Sequence, residues 1–217
     1  MAARGAVVSN DVATWKMIHE ERGRCADMLE SLAPEQWTAA TLCGDWNVRE
    51  VAAHMMIAGE QTTGRFMRGL VANGFRFNVM MDRAAREAGN LSSAEIIARI
   101  RARTTTTNKP PAAAMAMLGE VVVHGTDIRE PLGIPDDTSS QSKLACLNLY
   151  KSSNFPLPTK KAIAGLRLRA TDADWSWGSG PEVAGPMVAL MMAMATRPVL
   201  ASLRGDGVET LRSRLIK

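Results

Sequence analysis

No apolar run in this sequence is longer than nine residues, Met187 to Ala195, whereas a helix needs about 20 to cross a bilayer. A spanning helix is excluded, and no membrane partner is expected. The opening stretch, MAARGAVVSNDVATW, lacks an apolar segment long enough to serve as the core of a secretory signal, so a cytoplasmic protein is expected. Cysteine is scarce. Cys25, Cys43 and Cys146 are odd in number, far apart and without a C-x-x-C pair, which argues against a disulfide framework and against a cysteine-zinc knuckle. Aromatic residues are missing from the densest basic cluster, Arg99, Arg101 and Arg103, which borders a threonine tract. Those arginines read as a solvated helix face, and no nucleic-acid partner is expected. No internal repeat is visible.

What is present suits a soluble globular chain. The 217 residues are 46% hydrophobic and 22% charged with a formal net charge of +4, enough to bury a real core in one domain or two smaller ones. From Asn10 to Leu32 the apolar positions recur at three- and four-residue intervals, as on one face of a helix, and Pro34 ends or kinks it. After the connector TAATLCGDW, Asn47 and Glu50 form a capping-box pattern that starts a second helix through Val48, Val51, Ala52, Met55 and Met56. Glycines at 64, 69 and 74 weaken the helical signal, and Met67 to Asn90 is not assigned. Ser92 or Ser93 with Glu95 opens a third helix, Ala94 to about Arg103. Pro110 and Pro111 suit the first turn of a fourth, which ends near Pro131 and Gly133. A fifth is expected from about Ser139 to Lys151.

After Phe155-Pro-Leu-Pro the texture changes. Leu166 and Leu168 alternate with Arg167 and Arg169, Trp175 and Trp177 sit on one side of a second strand, and glycine-rich turns separate them. Gly185 to Thr196 reads as an apolar helix, Val199 to Leu203 as a further strand, Gly205-Asp206-Gly207 as a turn and Val208 to Leu215 as a last helix. The expected fold class is α+β, mainly α: a helix bundle over residues 1–154, then a small α+β domain over 155–217.

Chemistry concentrates on the fourth helix. At about 100° per residue, His124 and Asp127 flank Glu120 on a stripe that continues the apolar positions Ala113, Ala116 and Met117. A buried Glu or His must be paired, hydrogen-bonded or metal-bound. Glu120 and His124, at i and i+4, aim two ligands at one point, the way helical bundles build metal sites. The pair is equally an ordinary helical ion pair. A third ligand must come from another helix, and His54 is the available candidate, alternatively a satisfied core histidine. Two His and one Glu leave a position for water or ligand, as in catalytic sites. His19 has no partner in sequence and reads as surface. Cys43 has no base patterned near it and reads as a small buried thiol. Asp127 either fixes the tautomer of a ligand histidine or bridges to a neighbouring helix. Trp175 and Trp177 read as core aromatics or as cleft lining.

Three ordered motifs carry a resemblance. LCGDWNVREVAAHM, GEVVVHGTDIREPLG and GLRLRATDADWSWGSGPEVAGP, the last followed by an apolar helix, Arg197 and LRGDGVETLRSRL, are similar to the mycothiol-dependent maleylpyruvate isomerase family, whose N-terminal domain is a DinB-like metal-binding four-helix bundle. The resemblance implies that His54, Glu120 and His124 bind a divalent metal, zinc first, and that mycothiol is the co-substrate. In the founding reaction the thiolate adds to the cis double bond of maleylpyruvate, the resulting single bond rotates, and elimination returns fumarylpyruvate. The resemblance also gives Arg197 a catalytic role, clamping a substrate carboxylate; a helix C-terminal cation is the other reading. One departure is Thr196, where the family usually has Gly. The partners implied are a small carboxylated electrophile and a low-molecular-weight thiol, and a homodimer is compatible with the sequence. A thiol-independent metal hydrolase or transferase on the same bundle, and a non-catalytic metal-binding module, are the alternatives.

Overall fold

The computed structural model describes residues 2–154 and 158–215. The chain divides into two compact units, 1–137 and 138–217. The first holds α1 (Ala2–Glu30), α2 (Val48–Glu60), α3 (Thr63–Ala72), α4 (Phe77–Ala88), α5 (Ser93–Arg101) and α6 (Ala114–Leu132). Helices α1 and α2 each pack against both α5 and α6, closing a four-helix bundle, and α4 lies on the outside of α2. Its core is built from Ile18, Leu29, Val51, Met56, Ile96, Leu118 and Ile128, all at most 1% exposed. Ionic ties join the helices at the rim. Arg99 on α5 grips Glu60 on α2 through Nε (2.9 Å) and Nη2 (2.7 Å), and Arg101 reaches Asp27 and Glu30 on α1.

The expected α2 start is present in both halves. The Glu50 N–H donates to Asn47 Oδ1 at 3.0 Å, and the Asn47 N–H donates to Glu50 Oε2 at 2.9 Å. The unassigned stretch from Met67 to Asn90 is largely helical. Gly69 lies on the face of α3 that meets α4, where a Cβ would stand 2.9 Å from Met80 Sδ, and Gly74 (φ +61) makes the left-handed turn between the two helices. Pro110 and Pro111 precede α6 rather than opening it; its N-cap is Ala113, and Gly133 (φ 65) ends it one residue after Pro131-Leu132.

The second unit contains α7 (Ser140–Tyr150), α8 (Thr159–Ala162), β1 (Arg167–Ala170), β2 (Ser176–Gly178), β3 (Glu182–Gly185), α9 (Met187–Met194) and α10 (Val208–Leu215). The sheet has the order β2-β1-β3, antiparallel between β1 and β2 and parallel between β1 and β3. On β1 the side chains alternate as expected: Leu168 and Ala170 are buried, while Arg167 and Arg169 face solvent. Helix α9 is apolar nearly all round, as a helix enclosed by its own unit must be; it packs on α7 and on the sheet. Its first amide, from Met187, is satisfied by Asp172 Oδ1 at 2.8 Å.

Two expectations need correction. Val199 to Leu203 is not a strand. Pro198 has no N–H to give a ladder, the Leu200 amide turns back to the Pro198 carbonyl, and contact with β3 comes only after the segment, from the Arg204–Ala184 bridge and the Gly207 amide on the Glu182 carbonyl. The division between units falls at 137/138, not at 154/155 where the sequence texture changes, because α7 packs on α9. Phe155, the first residue of the expected second domain, lies outside the described residues. Thr196 has φ 66, the left-handed region that a glycine enters without strain; for a β-branched residue it costs about 1–2 kcal/mol. The helix end survives it. Arg197 N–H still closes on the Met192 carbonyl at 2.9 Å.

Candidate metal centre

The site forms where α2 and α6 pack. His54 stands in the second turn of α2, four residues before Ala58, and Glu120 and His124 stand one turn apart on α6. One ligand atom from each of the three lies within 4.8 Å of the others. His54 Nε2 is 3.7 Å from Glu120 Oε1, and the two imidazole rings meet edge to face with centroids 4.9 Å apart. All three side chains are mostly buried, between 12% and 18% exposed. Asp127, fully buried, accepts a 2.9 Å hydrogen bond from His124 Nδ1, so the carboxylate fixes the ring and its tautomer. On the other side, Trp46 packs its ring 5.0 Å from that of His54 and is itself held by Nε1–H donation to Asp82 Oδ1 on α4 at 2.9 Å.

Cys43 belongs to this neighbourhood, contrary to the expectation that no base stands near it. Its sulfur, a His124 nitrogen and an Asp127 oxygen also lie within 4.8 Å of one another. The connector that carries it is pinned to α6 by the Leu42 amide, which donates to the Asp127 carbonyl at 3.1 Å. No spacing rule links residue 43 to a helix some eighty positions later; only the folded loop does.

Residues 18–109 match the family described as mycothiol maleylpyruvate isomerase N-terminal domain. That match covers less than half of the chain. It includes His54 and stops short of Glu120 and His124. Two solved structures share the fold, the mycothiol-dependent maleylpyruvate isomerase (TM-score 0.63) and a single histidine-to-alanine mutant of it (TM-score 0.62), each 10% identical over 89% of this chain and 92% of the other. At that identity the likeness is one of architecture. No curated protein matches the chain.

The electrostatics of the site suit a cation. Glu120 Oε1 is buried and has no hydrogen-bond partner among the described residues. Burial pushes the Glu120 carboxyl up to about 7, against the pull of His124 and Arg22. Burial alone would lower the His124 imidazole, yet its hydrogen bonds to Asp127 and Cys43 raise it to about 10. Two nitrogens and a carboxylate suit zinc, and donors about 2.0–2.2 Å from a tetrahedral ion stand about 3.4 Å apart, close to the 3.7 Å between His54 and Glu120. The residues fit a divalent ion.

The other expected residues lie elsewhere. Arg197 is in the second unit, where its Nη1 donates to the Ala195 carbonyl at 2.9 Å. Trp175 is buried, with Nε1 donating to Asn148 on α7 at 3.3 Å, while Trp177 is half-buried on β2. His19 is half-buried rather than on the surface, with Nε2 3.0 Å from the Thr106 carbonyl oxygen.

Proposed function

We propose that the chain is an enzyme of the maleylpyruvate isomerase type, in which His54, Glu120 and His124 hold one divalent ion, zinc first, and mycothiol serves as the co-substrate. The observation that carries this reading is the convergence of those three side chains at a buried Glu120 oxygen that accepts no hydrogen bond among the described residues. An ion held there favours the thiolate of a bound thiol, its nucleophilic form.

The chain's own residues then have distinct tasks. His54 and His124 supply neutral nitrogens, and Asp127 orients His124 through Nδ1, presenting Nε2. Trp46 limits the rotation of the His54 ring and helps to exclude water. Arg197 is the residue we assign to a substrate carboxylate, because a guanidinium grips both of its oxygens. The thiolate sulfur adds to one carbon of a conjugated cis double bond, that bond becomes single and rotates, and expulsion of the same thiolate restores it as trans. Nothing is gained or lost overall. Such chemistry, fed by a soluble cellular thiol, fits a cytoplasmic protein.

Mycothiol should raise the thermal midpoint of the zinc-loaded protein, and the gain should vanish when a chelator removes the metal. At 100 times the dissociation constant the stabilisation is about 2.7 kcal/mol. Metal-dependent turnover without any thiol would favour a hydrolase, and neither thiol affinity nor turnover would favour a binding module. For Arg197→Lys the expected result is a fall of about tenfold or more in kcat/KM for a carboxylated substrate, since lysine loses the bidentate grip. Unchanged kcat/KM would remove Arg197 from the site.

A further inference from the structure

The bundle carries charge behind Glu120 that the ligand set does not use. Arg22, on α1, is only 4% exposed. Its Nη1 donates to the backbone carbonyls of Arg103 (2.9 Å) and Thr106 (3.3 Å), while Nη2 is buried with no hydrogen-bond partner. Arg103 Nε and Glu120 Oε1 are in the same condition. Arg22, Arg103 and Glu120 line one narrow cavity, together with Gly59 and Cys25. Gly59 on α2 faces both arginines: a Cβ there would stand 3.4 Å from Arg103 Cβ and 3.7 Å from Arg22 Cζ, in ordinary van der Waals contact. Among the described residues no direct ion pair joins Arg22 to Glu120.

Unsatisfied buried donors and acceptors are costly, about 1–3 kcal/mol each and more when charged, and three around one space are seldom independent. The cavity measures about 10 Å³, roughly the room that one water centre needs. A water there has matching valence: it accepts from the two guanidinium groups and donates to the carboxylate. We propose that Arg22 and Arg103 hold a single water against the Glu120 carboxylate, and that Arg22 is thereby a positioning residue of the metal centre. The affinity part of this proposal rests on the metal reading above. The spacer has a physical purpose. A direct arginine salt bridge would compete with an ion for the carboxylate, whereas a bridging water lets the arginines favour its ionised form and leaves Oε1, 3.7 Å from His54 Nε2, able to bind an ion.

Two measurements on the full chain test this. A high-resolution crystal structure should show a water within hydrogen-bonding distance of Arg22 Nη2, Arg103 Nε and the Glu120 carboxylate; no peak there, or a direct Arg22–Glu120 bond, overturns the proposal. This part needs no metal, so it stands or falls separately from the metal reading, whose own failure would appear as a wild-type chain without zinc affinity. By chelator competition, Arg22→Met should weaken zinc binding about 10–100-fold, the range typical for partners behind a ligand. Arg103→Met should act in the same direction and serves if Arg22→Met does not fold. A packing role alone would lower the thermal midpoint of the metal-free protein and leave zinc affinity unchanged. Unchanged zinc affinity in the folded variants therefore overturns the positioning role.

Discussion

His124→Ala should abolish zinc binding under conditions in which the wild-type chain retains its ion, a loss of more than about 100-fold in affinity. His124 is the hinge of the site: His54 meets it on one side (ring centroids 4.9 Å) and Asp127 anchors it on the other (2.9 Å). Removing it takes away a ligand nitrogen and the 2.9 Å hydrogen bond that the fully buried Asp127 carboxylate accepts. That second consequence is costly in itself, because a hydrogen bond to a charged group contributes about 1.5–3 kcal/mol. Asp127→Asn separates the two effects. It keeps the ligand and loosens its orientation, so zinc affinity should fall by about 10–100-fold rather than vanish. Chelator competition on both variants, with thermal unfolding of the metal-free forms alongside, reads the two losses independently. Equal affinities for wild type and His124→Ala would remove His124 from the ligand set.

The metal-free protein should lose stability as pH rises. Glu120 titrates near 7 in the folded chain instead of its ordinary 4.5, so between these values the native state keeps a proton that the unfolded state has released. Stability from this group is therefore intact below about pH 4.5 and declines as pH passes through 7. The span corresponds to at most about 3 kcal/mol at 1.36 kcal/mol per unit. His124 extends the trend, because its folded value near 10 lies above the ordinary 6.5; its contribution is full below 6.5 and lost as pH rises towards 10. Glu120→Gln, which has no proton to lose, should flatten the lower part of the curve and become progressively more stable relative to wild type from pH 4.5 to 7. Zinc should reverse the sign, since it binds the deprotonated ligands and its affinity climbs with pH. Denaturant titrations across this range, with and without zinc, give the comparison. A wild-type curve parallel to that of Glu120→Gln would contradict the buried state assigned to this carboxyl.

Much of this architecture is written in local patterns. The Asn47/Glu50 cap, the stripe from Met117 to Asp127 and the alternation at Leu166 and Leu168 each depend on residues a few positions apart, and each appears as the spacing implies. What local pattern does not carry is packing across the chain. Helices α3 and α4 escaped assignment because the glycines within α3 and in the turn after it resemble breakers, although Gly69 provides contact with Met80 and Gly74 provides the turn. Helix α7 was legible as a helix, yet nothing in its own periodicity says whether its apolar face joins the bundle or α9. Cys43 and Arg22 were missed as neighbours of the site for the same reason. One arrives on a loop pinned by a backbone hydrogen bond to Asp127; the other comes from the far side of the bundle, on a helix whose sequence shows only an apolar stripe.

The central claim, a divalent ion on His54, Glu120 and His124, is tested most directly by metal analysis of the full chain purified without chelator, beside His54→Ala and His124→Ala. The account predicts about one zinc per wild-type chain, as expected for a single three-ligand site, and little or none in either variant. A wild-type chain with no stoichiometric metal, or variants that retain it undiminished, would contradict it.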